Sequence, residues 1–140
     1  MKKLLIPIIL FLGVLTVLAD EKEQQFKKAY FEAIADSDEA MFRLIEFSDQ
    51  VPEIFNELLK ESLREDRRRT ITTVKFRNPT EEAMTEFTHE GVVYVPALEI
   101  EKEFVVTYEE TDEQAQITET VYSLGTKNGA YKIVGPKPKL

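Results

Sequence analysis

Hydrophobic and polar positions change rhythm twice along this chain, and each change marks a different kind of element. Behind Lys2 and Lys3, apolar residues run almost unbroken from Leu4 to Leu18. From Asp20 to about Arg69 they recur at three- and four-residue spacing. Phe26, Tyr30 and Ile34 form one set with Ala33 beside them, Met41, Leu44 and Ile45 a second, and Val51, Ile54, Phe55, Leu58, Leu59 and Leu63 a third. Such spacing puts each set on one face of a helix. Asp36-Ser37-Asp38 supplies N-cap side chains for a short second helix over DEAMFRLIEF. Ser48 or Asp49, with Pro52 and Glu53 in the first turn, opens a third.

After Arg69 the period falls to two. TITTVKF is β-branched and stopped by Asn78-Pro79. TEEAMTEF suits one helical turn or an irregular loop, and GVVYVP is a short strand bounded by Gly91 and Pro96. ALEIEKEFVVTYEE reads as one long strand with Leu98, Ile100, Phe104, Val106 and Tyr108 on one face. Lys102 falls on that same face, which predicts either a bulge or a lysine at the mouth of a cavity. TDEQAQ turns the chain, ITETVYSL is the next strand, and Asn128-Gly129 closes a hairpin whose turn needs positive φ at both residues. PKPKL reads as a tail.

Helices first and antiparallel strands afterwards predict an α+β protein, with N-terminal helices packed on a curved sheet. The opening segment has the basic, apolar and small-residue regions of a signal peptide, ending Val17-Leu18-Ala19. It contains Pro7 and is shorter than the roughly 20 apolar residues that span a bilayer. The expected organisation is a leader over 1–19, a single domain over 20–135 and a tail over 136–140. The mature protein is then expected in the periplasm or outside the cell, without stable membrane insertion. With no cysteine, neither a lipid-modified cysteine nor a disulfide is available.

Charge narrows the partners. Against 26 acidic residues stand 18 lysines and arginines, a formal net charge of −8, and loss of the leader removes two of those lysines. This balance argues against nucleic acid, whose phosphates require basic patches. The run Arg64, Arg67, Arg68 and Arg69 reads as cations at the negative end of the third helix.

Catalytic signatures are sparse. One histidine, His89, and no cysteine leave no metal-ligand set, and no G-x-S-x-G or glycine-rich phosphate loop is present. Neither a metal nor a cofactor is expected. His89 reads as a surface residue in a turn. A carboxylate paired with tyrosine is the remaining chemistry of interest. Tyr30 and Tyr108 lie on apolar faces and can meet in the interior, although a buried tyrosine also simply fills core space. Tyr122 shares parity with Leu124, and the pattern does not fix its face. Glu99, Glu101 and Glu103 oppose the apolar face and read as solvated, whereas Glu119 shares parity with Ile117 and Val121. Tyr30, Lys102, Tyr108 and Glu119 are therefore the candidate ligand-binding residues.

The helical segments FKKAYFEAIADSDEAMFRLI and PEIFNELLKESL, followed by EIEKEFVVTYEE, QITETVYSLGTKNG and AYKIVG, resemble the cystatin-like, nuclear-transport-factor-2-like superfamily. The likeness covers roughly residues 21–135, and small secreted bacterial members of unknown function look similar. It implies a cone-like α+β fold enclosing a pocket, which in that superfamily serves isomerases, dehydratases, and ligand or partner binding. The glutamine-valine-glycine motif of cystatin inhibitors has no counterpart here. The expected function is an exported module that binds a small molecule or protein without catalysis. A homo-oligomeric assembly protein is the alternative, since Phe104, Val105 and Val106 place apolar groups on both faces of one strand. Less favoured is a cofactor-independent isomerase or lyase, with Glu119 or His89 as base and Tyr30 or Tyr108 as donor.

Overall fold

A computed structural model describes residues 21–81, 83–110 and 118–140. The expected leader and the TDEQAQ turn lie outside the described residues. Helix α1 covers residues 21–36, and α2 spans Asp38–Phe42, with Ser37 Oγ accepting the Ala40 N–H at 3.1 Å. The second helix is thus shorter than DEAMFRLIEF. Ile45–Glu46 instead forms β1, which pairs in parallel with a strand from the end of the chain. Met41, Leu44 and Ile45 are buried all the same. Helix α3 is Glu53–Arg68 with Pro52 at its N-cap and no side-chain cap. Ser48, expected to cap it, uses its hydroxyl on the Gln50 N–H.

Strands β2 (Ile71–Arg77), β3 (Phe87–His89), β4 (Val92–Pro96), β5 (Lys102–Tyr108), β6 (Glu119–Lys127), β7 (Ala130–Val134) and β8 (Pro136–Pro138) follow. They form two open sheets, ordered β1-β7-β6-β5-β2 and β3-β4-β8, antiparallel except for β1. The molecule is mixed α+β, as the change of period requires. Asn128 and Gly129 have φ of 53° and 81°, so the last hairpin closes through the turn its dipeptide demands. Glu90 and Gly91 make a second such turn between β3 and β4. The final residues are not a free tail, since Pro136–Pro138 pairs with β4 at a sheet edge, where proline's missing N–H is tolerated. The expected long strand begins only at Lys102, because Leu98 and Ile100 lie in a segment that crosses the sheet.

The helices cover one face of the larger sheet. Phe26, Tyr30 and Ala33 of α1 and Leu63 of α3 pack with Phe104, Val106 and Tyr108 of β5, Tyr122 and Leu124 of β6, and Tyr131 and Ile133 of β7. The period-two pattern of β5 thus selects the core face. The opposite face is covered by the chain itself: Thr80 N–H reaches Glu103 Oε1 at 2.9 Å, and Met84 N–H reaches Ser123 Oγ at 3.4 Å. Val105 is buried within the single chain.

Glu103, expected in solvent, is fully buried on that covered face and bonded by Arg77 Nε at 3.1 Å. Gly125 marks the closest approach of the crossing segment. A Cβ there would sit 2.6 Å from the Glu99 carbonyl oxygen and 2.7 Å from Leu98 Cβ. Gly125→Ala will destabilise the fold by about 1–3 kcal/mol, because backbone must shift to admit the methyl group. Urea denaturation checks this, and an unchanged midpoint would show that the crossing segment yields freely.

Candidate functional site

The site begins with the heptad geometry of α3. Leu59 and Leu63 point at the core, and three residues further on the same face comes Asp66. A carboxylate is thereby carried inside, where it is only 1% exposed. Three tyrosines converge on it. Tyr30 from α1 and Tyr122 from β6 each donate to Oδ2 at 2.7 Å. Tyr108 from β5 donates to Oδ1. The cluster ties both long helices to the two central strands.

Burial raises the Asp66 carboxyl above its ordinary value, while the hydrogen bonds from Tyr108, Tyr30 and Tyr122 and the Arg69 guanidinium oppose that rise. Burial, followed by the charge of Asp66 and the hydrogen bond to it, pushes the Tyr30 and Tyr122 phenols far up. Tyr108 is raised by burial and by its bond to Asp66. All three remain protonated donors. A phenol beside a buried carboxylate cannot ionise without placing two negative charges together in low dielectric.

Tyr108 connects this cluster to the surface. Its hydroxyl also lies 2.8 Å from Thr120 Oγ1, and both residues line a cleft of about 260 Å³ with Leu58, Glu61, Ser62, Glu65 and Arg69. Leu58, Glu61, Ser62, Glu65 and Arg69 recur along one side of α3, so the cleft runs between that helix and the β5–β6 pair. The Arg69 guanidinium lies 4.1 Å from the centre of the Tyr108 ring, a cation–π contact that fixes the wall. At the rim Arg68 holds Glu65 at 2.6 Å, and Arg64 holds Glu61 at 3.0 Å and Glu57 at 2.7 Å. Arg67 turns the other way and bonds the Ile34 carbonyl and Asp38. The arginine run is thus divided among neighbours rather than gathered into a basic patch. Leu58, expected on the buried stripe, is 60% exposed and Ile54 57%, which leaves an apolar strip beside the cleft.

A larger cleft of about 390 Å³ lies between residues 46–50, Ala97, Leu98 and Lys127. Its polar lining includes the Lys127–Glu46 ion pair at 2.5 Å together with Ser48, Asp49, Gln50 and Lys137. The α3 cleft has the supported chemistry.

Of the residues singled out from the sequence, Tyr30 and Tyr108 meet at Asp66. Lys102 and Glu119 do not join them. Lys102 sits at the far end of β5, roughly 20 Å of strand from Tyr108, and donates to Asn78 Oδ1 at 2.9 Å. From Lys102 to Thr107 the register of β5 with β6 is unbroken, and just before it the Glu101 N–H bonds the carbonyl of Leu124, the residue opposite Lys102; a register shift also lies in β2, between Ile71 and Thr73. Glu119 is exposed and pairs with Thr107 on the face away from the core. His89 ends β3 rather than sitting in a turn, with its ring 5.0 Å from that of Phe55. Sequence reading missed Asp66 and Thr120. The signal for Asp66 was present: a carboxylate seven residues after Leu59 and three after Leu63, disguised by the charged run around it. Among the described residues no group of three or more metal-ligating side chains occurs, and no helix is long and apolar enough to cross a membrane. Comparison with known proteins leaves the geometry to speak alone: no family model, no curated protein and no solved structure matches the chain.

Proposed function

We propose that this protein is an exported, non-catalytic binding module of the cystatin-like, nuclear-transport-factor-2-like kind, whose small-molecule ligand lies in the cleft between α3 and the β5–β6 pair. The observation that carries this reading is the continuous link from buried Asp66 through Tyr108 to Thr120 at the cleft. A hydroxyl fixed from behind presents a defined hydrogen-bonding group without the entropy of ordering it on binding. The apolar wall at Leu58 gives such a ligand surface to bury.

Binding is favoured over turnover by the same geometry. A general base must come within hydrogen-bond reach of the proton it removes, and Asp66 faces the three phenols instead of the cleft. Glu119 and His89, the bases considered from the sequence, line other surfaces. Native mass spectrometry of protein recovered from the periplasm tests the proposal. It should give a chain beginning at Asp20 with an additional small mass that leaves on denaturation. Ser62→Trp, which fills the cleft from α3, should abolish that mass. Retention of it by the variant would place the ligand elsewhere.

A further inference from the structure

The chemistry of the ligand can be read from the hydrogens available to the cluster, an inference that rests on the binding reading above. Tyr30, Tyr108 and Tyr122 each own one hydroxyl hydrogen. Tyr30 and Tyr122 spend theirs on Asp66 Oδ2. Tyr108 lies within reach of both Asp66 Oδ1 and Thr120 Oγ1, and one hydrogen serves only one of them. The carboxylate is the stronger acceptor, so the Tyr108 hydrogen goes inward. Thr120 then completes the Tyr108 oxygen with its own hydrogen, also directed inward. Three donors converging on two oxygens, with the Arg69 guanidinium nearby, form the surroundings of a carboxylate; an acid would itself have to donate.

We infer that the cleft is built for a ligand that donates a hydrogen bond, a small primary amine in its ammonium form, because buried Asp66 orients Tyr108 and Thr120 inward and leaves the Thr120 lone pairs for the ligand. The charges around the site agree. Facing Asp66 are Tyr30 from α1, Tyr108 from β5, Tyr122 from β6 and Arg69 at the C-cap of α3, so Arg69 offsets Asp66. Glu61 and Glu65 then make the rim acceptor-rich, although Arg64 and Arg68 share them. A carboxylate ligand would meet the Thr120 lone pairs, and Arg69 in the wall attracts it less because that guanidinium already offsets Asp66. The volume suits one ring with a short polar arm, since an apolar cavity of about 150 Å³ accommodates benzene.

Benzylamine, benzyl alcohol and benzoate are matched probes of this inference. Each is titrated into the protein at pH 7 and followed by backbone amide shifts at Leu58, Ser62, Tyr108 and Thr120. Benzylamine should bind about ten-fold or more tighter than benzoate, with benzyl alcohol between them, a spread expected for one hydrogen bond to a charged group. Thr120→Val keeps the shape and removes the lone pairs, and should weaken benzylamine by about ten-fold in a protein whose spectrum remains folded. Benzoate binding as well as benzylamine would overturn the inference while leaving the binding reading intact. So would a Thr120→Val protein that holds benzylamine unchanged. If none of the three probes moves the cleft resonances, the binding reading fails and the inference falls with it.

Discussion

Asp66→Ala will lower the unfolding free energy by about 3–5 kcal/mol, the loss expected when several buried donors lose one shared acceptor. Three phenols lose their acceptor at once, and an unsatisfied buried polar group costs about 1–3 kcal/mol each. Part of that is returned, because a buried carboxylate no longer has to be desolvated. Tyr30→Phe and Tyr122→Phe each remove one donor and leave the other two, so each should cost about 1–2 kcal/mol. Urea denaturation followed by far-UV circular dichroism measures all three. If Asp66→Ala matched the parent protein, the cluster would not be what ties α1 and α3 to β5 and β6.

Acid should separate the two buried carboxylates in opposite directions. Asp66 is raised in the folded state, chiefly by burial. Its titration therefore contributes stability that is fully present below the ordinary aspartate value of 3.8 and is lost as pH rises through the raised folded value. Glu103 behaves in reverse. Burial pushes its carboxyl up, but the Thr80 and Arg77 hydrogen bonds outweigh burial and hold it below the ordinary glutamate value of 4.5. Its contribution is present above that value and lost as pH falls through the lowered one. Glu103→Gln should cost about 1–2 kcal/mol at pH 7, the difference between charged and neutral hydrogen bonds. That deficit should shrink as pH falls from 5 to 3. The deficit of Asp66→Asn should instead grow on acidification. Denaturation midpoints at several pH values decide it, and parallel curves for both variants would contradict the assignment.

How far the fold was legible follows from where periodicity is local. The helical spacing of Phe26 and Tyr30, the alternation from Phe104 to Tyr108, and Asn128-Gly129 each depend on near neighbours, and each element stands where its pattern puts it. What the pattern could not show depends on distant pairing. Ile45–Glu46 reads as the end of a helix until β7 is there to receive it. Pro136–Pro138 reads as a tail until β4 supplies its ladder. Glu103 alternates outward, and only the residues around Thr80, folded over that face, turn outward into buried.

The site was half legible for the same reason. Tyr30 and Tyr108 carry apolar-face spacing, so their meeting follows from the layers. Asp66 breaks the polarity rule for a helix face, and its three partners are dispersed from residue 30 to residue 122. Lys102 looked like a cavity residue because parity places it on the core face. Its length and its bond to Asn78 let the ammonium leave that face at the sheet end.

A small molecule in the cleft beside Tyr108 and Thr120 is what the proposed function requires. Amide-shift mapping with a set of ring-sized amines, alcohols and acids, run on the parent protein and on Ser62→Trp, tests it most directly. The expected result is saturable shifts confined to the cleft side of α3 and the facing ends of β5 and β6, absent from Ser62→Trp. Saturable shifts that persist in Ser62→Trp, or that map to the cleft between residues 46–50 and Lys127, would contradict it.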